Sequence, residues 1–103
     1  MPRASGPSEL TAQFQAALAQ LERVAQGSDF LAKQATLLIA RVENAIVDIE
    51  DDYCAGYRLR GPGLSDICEV RLPGGWRILY KVNAQKRVPV LLLLGQITAI
   101  SQR

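Results

Sequence analysis

From Leu10 the apolar residues fall at Leu10, Phe14, Ala17, Leu18, Leu21, Val24 and Ala25. This three-and-four spacing predicts a helix with one buried stripe. Ser8 stands where its N-cap is expected and Gly27 where a left-handed C-cap is expected. Ser28 or Asp29 then opens a second helix. Its stripe runs Leu31, Ala35, Leu38, Ile39, Val42, Ala45, Ile46 and Ile49, while Arg41, Glu43 and Asp48 fall elsewhere. It ends near Ile49, before the acidic run Glu50-Asp51-Asp52, which opposes the macrodipole and calls for solvent or cations. So short a turn between two helices predicts an antiparallel hairpin.

The period then changes to two. Tyr57 to Arg60 alternates and reads as a short extended segment before the Gly61-Pro62-Gly63 loop. From Ile67 to Leu72, Cys68, Val70 and Leu72 share one face and Ile67, Glu69 and Arg71 the other. Pro73-Gly74-Gly75 predicts a hairpin turn. In the next strand Trp76, Ile78, Tyr80 and Val82 share a face, and Arg77, Leu79 and Lys81 the opposite one. Val88 to Leu94 is continuously apolar, as in a central strand covered on both sides. The pattern predicts an α+β fold: an N-terminal antiparallel helix hairpin packed on a C-terminal antiparallel β-sheet of three to four strands. The 103 residues suit one domain spanning 1–103, with residues 1–7 a loose leader and 96–103 a short tail.

Charge divides the chain. Residues 1–52 carry four basic and eight acidic residues, whereas residues 53–103 carry eight basic and only two acidic, Asp66 and Glu69. A basic sheet half suits a polyanion or an acidic partner. Without a signal peptide or an apolar run of membrane-spanning length, the expectation is a cytoplasmic chain with no membrane association and with Cys54 and Cys68 as free thiols. With no histidine and no Cys-x-x-Cys, no metal site or cofactor is expected, and the commonest general base is missing.

The sharpest candidate for chemistry is the basic sheet face. A turn at Pro73 to Gly75 brings Arg71 near Arg77 and Lys81, and Arg58 and Arg60 are placed to extend the patch. Guanidinium groups bind phosphate bidentately without losing their charge, and clustered cations stabilise charge developing on a phosphoryl group. The plainer reading is solvated edge charge, or ion pairing with Glu69, Asp66 and the acidic run. Tyr80 and Trp76 read as core anchors, and Cys68 as a buried, inert thiol.

Leu59-Arg60-Gly61, Asp66 to Leu72, Gly75 to Val82 and an apolar strand ending at Gly95 together resemble the RelE/ParE toxin superfamily of type II toxin–antitoxin systems. The resemblance spans about residues 31–95 and is most specific at Trp76 to Val82. RelE-like members enter the ribosomal A site and cleave mRNA, using the 2′-hydroxyl as nucleophile. ParE-like members inhibit DNA gyrase. Both are neutralised by an antitoxin protein. The resemblance therefore implies an mRNA interferase with an antitoxin, ribosome and mRNA as partners, in which Arg71 and Arg77 are catalytic. Arg60, Lys81, Arg58 and Arg103 would bind RNA phosphate.

Three positions depart from the family pattern. Glu69 stands where a second strand cation is usual. The tail after Gly95 supplies no cation until Arg103 and neither an aromatic residue nor a histidine. The family's first β-strand has no counterpart in the pattern. The first two departures favour the alternative, a non-nucleolytic ParE-like gyrase inhibitor or a degenerate toxin-like binding module.

Overall fold

The computed structural model describes residues 8–52, 55–59, 61–63, 66–83, 85 and 87–96. The chain runs β1 (Glu9–Leu10), α1 (Ala12–Ala25), α2 (Phe30–Asp51), β2 (Tyr57–Arg58), β3 (Cys68–Arg71), β4 (Trp76–Asn83) and β5 (Val88–Gln96). The strands form one five-stranded sheet in the order β1-β5-β4-β3-β2, antiparallel except where β1 runs parallel to β5. The α+β helix-hairpin-on-sheet architecture is as expected from the periodicity, but the sheet is wider than three to four strands.

The extra width includes the first strand. Leu10 does not begin the helix: Glu9 pairs with Val90 and Leu10 with Leu91. Ser8 is not an N-cap, because its amide and Oγ both donate to Glu50 at the far end of α2, at 2.7 and 2.8 Å. Thr11 caps α1 instead. Its Oγ1 accepts from the Phe14 amide at 3.2 Å and donates to the Leu92 carbonyl at 2.8 Å. One hydroxyl thus starts the helix and ties it to β5. Thr11→Ala is expected to cost about 1 kcal/mol in chemical denaturation, the usual worth of an N-cap.

At the other helix junction Asp29 caps α2 by accepting from the Ala32 amide at 2.9 Å, a carboxylate where the dipole favours one. Helix α1 closes at Gln26 in ordinary right-handed geometry, and Gly27 is not left-handed as expected. Helix α2 runs on through Glu50 and Asp51, so part of the acidic run forms its last turn.

The core lies between the helix hairpin and one sheet face. Phe14 and Leu21 of α1, Val42, Ala45 and Ile49 of α2, Ile78 and Tyr80 of β4, and Leu91 and Leu94 of β5 are buried together. Helix α1 packs directly on β5 and α2 on α1. Leu31 has the right helical phase for the stripe but is exposed; in the same first turn of α2 it is Ala32, beside Gly27, that is buried. Val24 also lies at the exposed edge of its stripe.

Strand β5 is central in the sense of being paired on both edges, yet it is not covered on both faces. A register shift opposite Leu79 and Tyr80 inserts Leu92 as a bulge. The bulge switches the inward parity from Pro89 and Leu91 to Leu94 and leaves Leu93 on the outer face, 40% exposed. An uninterrupted apolar run follows from that switch without a second covering layer.

Candidate functional site

The outer sheet face is assembled by register. Residues directly opposite on antiparallel strands share a face. Tyr57 pairs with Glu69, Glu69 with Leu79 and Leu79 with Leu93, and in the next row Arg71 pairs with Arg77 and Arg77 with Gly95. The face opposite the helices therefore carries Tyr57, Glu69, Arg71, Arg77, Leu79 and Leu93. Glu69, Arg77, Leu79, Leu93, Gly95 and Gln96 line a shallow concavity. A side chain at Gly95 would meet no atom within 4 Å, so glycine leaves this concavity open.

Arg71 and Arg77 stand directly across from each other. Like charges in that position repel, and Glu69 offsets the repulsion. Its Oε1 accepts from Arg71 Nε and its Oε2 from Arg77 Nη1, both at 2.9 Å. Glu69 is 5% exposed, the one buried charged residue among those described. Such burial disfavours a carboxylate and would raise its pKa. The hydrogen bonds and charges of Arg71 and Arg77 outweigh that effect and hold the carboxyl below its ordinary value of 4.5. The same hydrogen bond and charge raise the Arg71 pKa further above its ordinary value.

Because folding lowers the Glu69 pKa, its stabilising effect is complete above the unfolded-state value. It is lost as pH falls through the lower folded-state value. Thermal unfolding midpoints are thus expected to fall on acidification below pH 4.5. Glu69→Gln is expected to flatten that acid limb.

Arg71 also lies over the Tyr57 ring, with Cζ 5.5 Å from its centroid, a cation–π arrangement. Tyr57, Arg71, Glu69 and Arg77 thus form a continuous band across β2, β3 and β4. The Arg71 side chain is 65% exposed and that of Arg77 31%. Arg77 lines the concavity together with Leu79 and Leu93.

Among the residues expected to form the site, Arg71 and Arg77 are brought together. Lys81 is on the same face and exposed, but four positions further along β4, about 13 Å away at strand rise. Arg58 does not extend this patch. It pairs with Cys68, which pairs with Tyr80, and so it falls on the helix-facing side at the sheet edge. Arg60 and Arg103 lie outside the described residues, as do Tyr53 and Cys54. Tyr57 is the member of the band that periodicity did not assign to it, whereas Glu69 lies on the Arg71 face and pairs with both arginines, as the plainer reading of the patch has it. The signal for Glu69 is its spacing of two from Arg71, which places both on one face. Behind the band, Tyr80 accepts a hydrogen bond on its hydroxyl from the Gly56 amide at 2.9 Å. It is fully buried, as its apolar-face position predicts.

A two-helix layer on a mostly antiparallel sheet is also the fold of two solved RelE-type toxin chains, and structural comparison shows that this chain shares it. A chain of the RelBE2 toxin–antitoxin complex from Mycobacterium tuberculosis superposes with a TM-score of 0.61 at 23% identity, over 91% of this chain and 93% of that one. The isolated Escherichia coli RelE toxin superposes with a TM-score of 0.59 at 18% identity, over 93% and 90%. No protein-family model matches the sequence, and no curated protein does. No helix of the described residues is long and apolar enough to cross a membrane.

Proposed function

We propose that this chain is the toxin of a type II toxin–antitoxin pair and that Arg71 and Arg77 engage mRNA phosphate on the ribosome. The observation that carries the reading is the directly opposed guanidinium pair on the open face of a RelE-like fold. The two arginines hold the nonbridging oxygens of one phosphodiester. They stabilise the charge that gathers there as the adjacent 2′-hydroxyl attacks. The chain has no histidine to move the proton, so that task falls to a less common base or to the ribosome–mRNA complex. Action at the ribosome places the protein in the cytoplasm. An antitoxin covering the sheet or helix surface restrains it, as the fold relative from M. tuberculosis was crystallised in a toxin–antitoxin complex.

A second reading, binding without cleavage, is favoured by Glu69, whose carboxylate already occupies one donor of each arginine. Induced expression separates the two. Mapping mRNA 5′ ends during growth arrest is expected to show cuts at the ribosomal A site. Arrest with intact mRNA and collapsed plasmid supercoiling would instead establish the gyrase-directed alternative.

A further inference from the structure

We infer that Glu69 sets the anion affinity of the sheet face. Its carboxylate holds Arg71 and Arg77 by one donor each and cancels one of their two charges, so that a phosphodiester binds through the remaining guanidinium edges against a single net positive charge. The inference rests on the reading that this face receives RNA phosphate, and it assigns a positioning and affinity-setting role to Glu69.

Three observations lead to it. First, each guanidinium has five N–H donors in a fixed fork, and Glu69 uses Nε of Arg71 and Nη1 of Arg77. The terminal nitrogens of Arg71, and Nε with Nη2 of Arg77, remain to meet a ligand. Second, Glu69 is buried while Arg71 is largely exposed and Arg77 partly so. The carboxylate therefore lies beneath the guanidiniums, where it orients them without contacting the ligand. Third, the neighbours of the triad are a tyrosine ring and leucines. Among the described residues of the band no third cation restores the cancelled charge, and Lys81 is too far along β4 to do so. A single positive charge matches the single negative charge of a phosphodiester.

The test measures binding of a fluorescent single-stranded oligouridylate across a salt series. The proteins compared are the full chain, Glu69→Gln, Glu69→Met and Arg77→Ala. Glu69→Gln preserves shape and one acceptor but removes the charge. It is expected to bind about tenfold more tightly at low salt, with the slope of log affinity against log salt steeper by about 0.7, the increment for one more phosphate contact on a single strand. A purely structural role for Glu69 would not steepen that slope. Folded Glu69→Gln that binds equally or more weakly, with an unchanged slope, overturns the inference.

Glu69→Met fills much the same space without charge or amide, and frees Arg71 Nε and Arg77 Nη1 for solvent or ligand. It stands in for the glutamine variant if that variant fails to fold, with the same expected gain. If neither variant folds, Glu69 serves the fold alone and the inference is overturned. Arg77→Ala distinguishes failure of the underlying reading: unchanged oligouridylate binding there means that the face is not the phosphate surface at all.

Discussion

Replacing Arg77 with alanine is expected to abolish growth inhibition on induction, with a loss of activity on the order of a hundredfold or more if one electrostatic stabiliser is removed. Arg77 is the better anchored of the two arginines, its side chain half as exposed as that of Arg71 and lining the concavity. Its removal also strips one donor from a buried carboxylate, which costs about 1–3 kcal/mol of stability. The experiment therefore includes Arg77→Lys, which keeps a cation but not the planar fork. The lysine variant is expected to be folded by circular dichroism and still strongly impaired. Full growth inhibition by a folded Arg77→Ala protein would remove the basic face from the mechanism.

The second large effect is on stability. Tyr80→Ala is expected to lower the unfolding free energy by about 3–5 kcal/mol, the range for deleting a buried aromatic ring. Urea denaturation measures it as a midpoint shift. Tyr80 is fully buried, and its strand carries Arg77 on the opposite face. Tyr80→Phe isolates the hydroxyl, which accepts from the Gly56 amide, and is expected to cost only about 1 kcal/mol. The same ring makes position 56 intolerant of a side chain. A Cβ there would lie 2.8 Å from Tyr80 Cε1 and 2.9 Å from the Glu69 carbonyl oxygen.

Periodicity made the helix hairpin and the three longer strands legible, because each presents a stripe or an alternation several residues long. It also put Arg71 and Arg77 on adjoining strands across a glycine turn. It could not reveal β1. Two residues, Glu9 and Leu10, carry no period, and what makes them a strand is Val90 and Leu91, some eighty positions away. Leu10 fits the helical stripe by coincidence of spacing, while the capping chemistry lies in Thr11 and its bond to Leu92. The assignment of Leu31 to the core failed although its phase fits, because in that turn the small Ala32 packs beside Gly27 and Leu31 stays exposed. The band around Glu69 was half legible. Alternation puts Glu69 beside Arg71, but only the register puts Tyr57 in the same row and Arg58 on the other side of the sheet.

Strand β5 has a consequence for how the protein comes into being. It is made after the other described strands, yet β1 and β4 pair with its two edges and α1 lies upon it. During synthesis the buried stripe of α1 has no sheet to meet until residues 88–96 have emerged, and the β1 pairing must close the loop from Glu9 to Val90. Folding is thus dominated by contacts distant in sequence, which favours slow acquisition of structure and a long exposure of apolar surface. A chain interrupted before Val88 would lack the hub of its sheet and remain open to proteolysis, so that Arg71 and Arg77 are presented as a pair only once residues 88–96 have been made.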